Sequence, residues 1–188
     1  MYKLFFLIAL TVSVPLAHAS IENKDALVYL RYSTTDITNA TLPVWGVGFA
    51  NVKGAGRFGV AATIDYQTFG ADWGYHLLFN GEDNNSHVYL DGSWGVNVML
   101  GTAYGLTDDL YVVPKIGGTY NKLYYGSVNS SENAAPKMNR GIEERYDVSY
   151  GVDFMFSYDS LVMGVGISNY YHFLDRETKA NLLLGYRF

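Results

Sequence analysis

Apolar and polar residues alternate one by one along most of this chain. In "DVSYGVDFMFSY" (147–158) one face carries Val148, Tyr150, Val152, Phe154, Phe156 and Tyr158, and the other Asp147, Ser149, Gly151, Asp153, Met155 and Ser157. In "LDGSWGVNVMLGTAY" (90–104) the apolar face is Leu90, Trp94, Val96, Val98, Leu100 and Tyr104, opposite Asp91, Ser93, Gly95, Asn97, Met99, Gly101 and Ala103. A period of two marks strands with unlike faces, and no segment reads at the helical period. The pattern predicts eight strands, at about 26–33, 44–52, 58–69, 87–105, 110–125, 146–157, 161–171 and 178–188. Each reaches or nearly reaches the roughly 9–11 residues that cross a bilayer when tilted.

The connections between these strands alternate in character. "NVKGAGR" (51–57), "LTDD" (106–109) and "YDS" (158–160) are short, whereas 34–43, a region within 70–86, 127–145 and 172–177 are longer and polar. Short turns at one end and long loops at the other are what outer-membrane barrels show. The stretch 70–92 admits two readings. It is a hairpin projecting above strands three and four, or two further short spanning strands with Asp91-Gly92 as an extra reversal, which would make ten.

Alternation alone does not say which face meets water. The face opposite the large residues collects Gly46, Gly48, Gly59, Gly95, Gly101, Gly117, Gly151, Gly164, Gly166 and Gly185 together with ions. Glycine on a solvated strand surface packs nothing, but inside a narrow barrel it leaves room for a few long polar side chains. Trp45, Phe49, Ile64, Trp94 and Phe154 then face lipid. A soluble lipocalin-like carrier would need the reverse, with a greasy lumen and a charged exterior. The expected fold is therefore all-β: a closed antiparallel transmembrane β-barrel.

The chain ends "LLLGYRF", with Leu184, Tyr186 and Phe188 on one face up to the last residue. A final strand that pairs with the first would close the cylinder and leave no backbone edge in lipid. With this tail the chain resembles bacterial outer-membrane β-barrel proteins, broadly of the small OmpA-barrel, OmpX and Ail type. The resemblance implies that Leu184, Tyr186 and Phe188 form a C-terminal signal read by the barrel assembly machinery. It also implies a place in the outer membrane, with outer-membrane lipid and lipopolysaccharide as surroundings.

Five ions fall on the inward face by parity: Arg31, Asp65, Lys115, Asp153 and Arg187, with Asn97 on the same face. Lys115 and Asp153 lie at similar heights on adjacent strands, and Arg31 and Asp65 lie one strand apart across Gly46 and Gly48. Charges in a narrow lumen must be paired. A salt-bridged plug is expected ahead of a gated polar channel, because side chains fill an eight-stranded interior. Tyr66, Trp73, Tyr104, Tyr120, Tyr158 and Tyr170 fall near strand ends, as interfacial girdles do. No catalytic site is expected. Ser168, His172 and Asp175 are the one tempting set, but Ser168 and His172 would stand about 13 Å apart along a strand. No histidine spacing suggests a metal, and no motif implies a cofactor. The segment 127–146 balances Glu132, Glu143 and Glu144 against Lys137, Arg140 and Arg145 and reads as a solvated surface loop ahead of a recognition loop, since nothing in it forms an aromatic or basic anchor; an extracellular ligand, if one binds, is not identified by the sequence.

At the other end, Lys3, an apolar run from Leu4 to Val14 and Ala17-His18-Ala19 make a cleavable signal peptide over 1–19, leaving 20–188 as one barrel domain. The net charge is −5, and one unit more negative once Lys3 leaves. That charge excludes a basic nucleic-acid footprint, so no nucleic-acid partner is expected. With no cysteine, no disulfide is available to an exported chain. An even strand count puts both termini in the periplasm, and nothing points beyond a monomer. The expected role is structural or surface-binding through the extracellular loops. The alternative is a narrow pore for small solutes; a lipid-modifying barrel enzyme stands further back.

Overall fold

The computed structural model describes residues 26–37, 40–51, 55–70, 77–80, 86–129, 137–172 and 175–188. Nine strands occupy them: β1 (Ala26–Ile37), β2 (Ala40–Asn51), β3 (Phe58–Gly70), β4 (Leu77–Asn80), β5 (Ser86–Gly105), β6 (Leu110–Asn129), β7 (Lys137–Tyr158), β8 (Leu161–His172) and β9 (Asp175–Arg187). They form one antiparallel sheet in the order β3-β2-β1-β9-β8-β7-β6-β5, and β3 pairs with β5 to close it. Eight strands make the barrel. Among the described residues the four-residue β4 pairs only with His87–Leu90 at the top of β5. Asp91-Gly92 is no reversal: β5 runs through it, with a register irregularity between Leu90 and Gly92. This settles the count at eight spanning strands.

The seam joins the first and last barrel strands. Leu27–Tyr32 of β1 pairs with Leu182–Arg187 of β9, and the Phe188 N–H donates to the Ala26 carbonyl at 2.9 Å. Over this stretch the last strand is paired on both sides, so its backbone is not left to lipid, where each unpaired group would cost several kcal/mol. Both ends of the described chain sit at one rim. Ala55-Gly56, Leu106–Asp109 and Asp159-Ser160 turn there too, with Asp159 at φ 55°.

Strand lengths differ by side. β1, β2, β8 and β9 have 12 or 13 residues, whereas β5, β6 and β7 have 20 to 22. Much of what reads in sequence as loop is paired strand: β1 continues to Ile37, β2 begins at Ala40, and β6 and β7 stay in register up to Asn129↔Lys137. The polar character of these stretches has a simple cause, since strands beyond the bilayer meet water on both faces. β4 and the upper halves of β5, β6 and β7 thus rise as a fin at the rim opposite the termini.

Parity sorts the side chains. Trp45, Val60, Leu100, Ile116, Phe154, Val165 and Leu182 point outward and are exposed, an apolar belt that suits hydrocarbon. Inside, the lumen is layered. Leu27, Tyr29, Ala50, Ala61, Ala103, Tyr111, Val113, Met155, Val162 and Leu183 form an apolar plug toward the terminal rim. Above it lie Arg31, Asp65, Asn97, Lys115 and Asp153, each 4% exposed or less.

Glycine is what makes room for these. Asp65 sits opposite Gly46 on β2, Asp153 opposite Gly166 on β8, and Asn121 opposite Gly95 on β5. A Cβ on each of those glycines would lie 2.1 to 2.2 Å from the polar side chain across from it. The long side chain of one strand fills the space its neighbour leaves empty.

Candidate functional site

The ionic layer is built around one carboxylate. Asp153 Oδ2 receives Arg31 Nη1 at 3.0 Å, a short bond from Lys115 Nζ, and the Tyr29 hydroxyl at 3.4 Å. Arg31, on β1, reaches two further groups: its Nε lies 3.0 Å from Asp65 Oδ1, and Nη2 donates to Ser168 Oγ at 2.9 Å. Asn97 Nδ2 donates to Asp65 Oδ2 at 3.0 Å, and Asn97 Oδ1 accepts from the Thr119 hydroxyl at 3.0 Å. Asn181 Nδ2 completes Ser168 at 2.8 Å. Two cations and two carboxylates therefore balance in a layer that touches every side of the barrel except β2, whose contribution is the gap at Gly46. Arg31 and both of its carboxylates have side chains no more than 5% exposed. Burial of such charges is tolerated only because each is met by opposite charge and hydrogen bonds.

The two pairs suggested by sequence thus form one cluster, with Arg31 as the bridge between Asp65 and Asp153. Arg187 stands apart from it. It lies at the terminal rim, 3.4 Å from Asp109 Oδ1 and 3.1 Å from Ser157 Oγ. Sequence reasoning missed Tyr29, Ser168, Asn181 and Thr119 as members of this layer. Inward parity was the available signal for all four.

A second polar layer lies higher. Gln67 donates to Asn121 Oδ1 at 2.6 Å, and Asn121 Nδ2 donates to the Tyr171 carbonyl at 2.7 Å, tying β3 to β6 and β6 to β8. Thr35 donates to Glu177 at 2.7 Å, and Lys179 Nζ lies 4.7 Å above the Tyr170 ring. Tyr170 is therefore not an interfacial aromatic. It is 1% exposed and fills the lumen, because it shares parity with Ser168. Tyr66, Tyr104, Tyr120 and Tyr158 do point outward, with Tyr158 71% exposed. Tyr120 joins a cross-strand row, its ring centroid 5.1 Å from Trp94 and 4.8 Å from Tyr146. Trp73 lies outside the described residues.

Above the second layer the strands part. β7 leaves β8 beyond Tyr150↔Asn169, and the end of the β8–β9 hairpin leans back across the gap. The Arg145 guanidinium stacks 3.4 Å from the Tyr171 ring centre and donates to its hydroxyl. Arg176 Nη2 donates to Asp147 at 2.7 Å and to the Val148 carbonyl at 3.0 Å. On the fin, Tyr124, Tyr125, Arg140, Gly141 and Ile142 line an open cleft of about 500 Å³. As for catalysis, the Ser168 hydroxyl is held by Arg31 and Asn181, and the side chains of His172 and Asp175 lie outside the described ones.

No protein-family profile and no curated protein matches the chain. Solved structures do. The crystal structure of Ail, the attachment invasion locus protein of Yersinia pestis, superposes with a TM-score of 0.57 at 13% identity, covering 87% of this chain and 98% of that one. Ail in a phospholipid bilayer nanodisc gives 0.56 at 10%, covering 87% and 99%. A major outer membrane protein from Thermus thermophilus gives 0.51 at 15%, again covering 87% and 99%. The shared feature is the fold, the small barrel of outer-membrane proteins.

Proposed function

We propose that this chain is an outer-membrane barrel with a sealed lumen that acts at the cell surface through its fin. The observation that carries this reading is the charge-neutral layer of Arg31, Asp65, Lys115 and Asp153, buried across the lumen and backed by the apolar plug below it. Those two layers interrupt any polar path for solute, which leaves the outer surface to do the work. In this reading residues 1–19 are a cleaved leader and the terminal rim lies in the periplasm. Leu184, Tyr186 and Phe188 engage the assembly machinery, the monomeric barrel sits among outer-membrane lipid and lipopolysaccharide, and no catalysis is involved. A surface-binding role also suits the neighbour Ail, which has been solved in complex with the heparin analogue sucrose octasulfate.

A narrow pore is the second reading. It is favoured by buried lumen atoms without a protein hydrogen-bond partner, Thr63 Oγ1, Ser149 Oγ and Asp153 Oδ1, where lumen water would bind. Planar-bilayer recording separates the two. The sealed barrel gives no steady conductance steps; reproducible steps from the folded wild-type protein would establish the pore.

A further inference from the structure

The top of the β8–β9 hairpin is detached from the wall on both sides. Its two strands stay paired with each other up to His172↔Asp175. On one flank the ladder to β7 stops at Tyr150↔Asn169, and on the other the ladder to β1 stops at Tyr32↔Leu182. Neither neighbour ends there, since β7 extends up to Lys137 and β1 to Ile37. Residues 170–172 and 175–181 thus form a two-stranded tongue. It has strand on either side and, among the described residues, a ladder to neither.

Side chains occupy the backbone groups that the missing ladder would use. The Ser157 N–H donates to the Asp109 carbonyl just before β6, so odd-numbered residues of β7 face β6 and even-numbered ones face β8. The next hydrogen-bonded pair above Tyr150↔Asn169 would be Val148↔Tyr171. Instead the Val148 N–H donates to Asp147 Oδ1 at 2.7 Å, and the Val148 carbonyl accepts from Arg176 Nη2 at 3.0 Å. The Tyr171 carbonyl accepts from Asn121 Nδ2 at 2.7 Å. Arg176 Nη2 also meets Asp147 Oδ1 at 2.7 Å, so one ion pair covers both groups of Val148. Backbone groups are costly to leave bare, and here side chains meet them in place of a strand.

The ladder and these caps exclude each other. Continuing the observed registers would set Ser149, Val148 and Asp147 against Tyr170, Tyr171 and His172. On the other flank it would set Ser33, Thr34 and Thr35 against Asn181, Ala180 and Lys179. Parity holds at these rungs: buried Ser149, Ser33 and Thr35 would meet buried Tyr170, Asn181 and Lys179.

We propose that the tongue is a lid with two positions. Down, it leans over the lumen mouth and is held by Asn121, by the Arg145 stack on Tyr171 and by the Arg176–Asp147 pair. Upright, it is laddered into β7 and β1. Lifting it exchanges side-chain caps for ladder bonds, so neither position strands the backbone, and both belong to one register. The Arg176 and Asp147 side chains are 34% and 27% exposed, where water and salt compete for the pair and make the latch reversible. Lifting frees Asn121 Nδ2 beside Gln67, whose Oε1 is buried without a hydrogen-bond partner, and opens this second polar layer to the outside. The ionic layer beneath stays in place, so molecules gain the layer without gaining a channel. This last consequence rests on the reading that the lumen is sealed.

The chain has no cysteine, so two can be introduced for spin labels without background. Thr178→Cys lies on the tongue and Thr102→Cys on β5, four strands round the barrel from β9, and both positions are exposed. Pulsed electron resonance measures the distance between the labels in the full barrel, folded into phosphatidylcholine vesicles. Insertion is checked by the gel shift between unheated and heated samples. A main short distance and a minor longer one are expected, because the tongue leans toward β6 when down. Asn121→Ala and Arg176→Ala each remove a cap and should each raise the ratio of long to short about fivefold or more, the effect of one hydrogen bond. Ala180→Pro should abolish the longer distance. Even-numbered residues of β9 face β1, since the Phe188 N–H donates to Ala26, and proline at 180 removes an N–H that the upright ladder needs. A ratio that either cap variant leaves unchanged in inserted protein overturns the lid, as does a longer distance that survives Ala180→Pro. Either result leaves the sealed barrel standing, whereas steady conductance of the wild type would overturn the seal and leave the lid. Protein that does not insert overturns both.

Discussion

Replacing Asp153 by Asn removes one charge and leaves the shape of the side chain nearly unchanged. In the folded barrel Oδ2 of this residue holds Arg31, Lys115 and Tyr29, and its side chain is fully buried. After the change Arg31 keeps Asp65, but Lys115, also fully buried, has no other carboxylate within ion-pair distance among the described residues. A neutral layer acquires one stranded positive charge. Breaking a buried pair from one side costs about 3–5 kcal/mol, far above the scale of an exposed pair. The sign of the cause is checked by Lys115→Met in the same background. Removing the stranded cation should recover most of the loss, leaving Arg31–Asp65 as a self-contained pair. The assay is urea unfolding of the barrel in lipid vesicles, followed by the compact-to-extended gel shift. A loss below about 1 kcal/mol for Asp153→Asn would show that the layer does not hold the lumen as described. A double variant no better than the single one would show that charge is not the reason.

Other expectations follow from the same geometry. A Cβ at Gly117 would lie 1.9 Å from the Val98 carbonyl oxygen, which is backbone and cannot step aside, whereas at Gly118 the nearest atom is 3.6 Å away. Gly117→Ala should therefore abolish most folded protein on the gel and Gly118→Ala should fold as well as wild type. Tyr170→Ala should cost about 3–5 kcal/mol, as for a large aromatic lost from a packed interior, and Tyr158→Ala, on the outer face, much less; urea midpoints of the two rank them. Deleting Phe188 should lower the yield in the outer membrane several-fold, while refolding of the purified chain in detergent falls much less; equal losses in both would place its role in the seam rather than in assembly.

Alternation carried the fold because a barrel wall has two solvents, one on each side, and strands of about 10 or more residues repeat the contrast often enough to be read. It also sorted Arg31, Asp65, Lys115 and Asp153 onto one face and suggested the pairs Arg31–Asp65 and Lys115–Asp153, both of which form, but not the contact that joins them. Strand tilt decides that: Arg31 on β1 reaches Asp153 on β7 across β9 and β8, a contact that height along neighbouring strands does not anticipate. "NYYHF" (169–173) defeats parity for a different reason. Adjacent aromatics offer the same face to both sides, so Tyr170 reads as girdle when it is lumen filling. Beyond the bilayer the contrast between faces vanishes, and 34–43 and much of 127–145 then look like loops although they are largely laddered strands.

The pairing of each long lumen side chain with an empty position on the next strand has a consequence for how such an interior can change over generations. Gly46, Gly95 and Gly166 are not spare sites. Each is half of a two-residue volume shared with Asp65, Asn121 or Asp153. A lineage can shrink the large member alone and leave a hole, but it cannot enlarge the small one first. Drift inside the lumen is thereby directional: a bulky group moves from one strand to its neighbour only after its present seat has been vacated, so related barrels should differ here by exchanges across a rung rather than by single replacements.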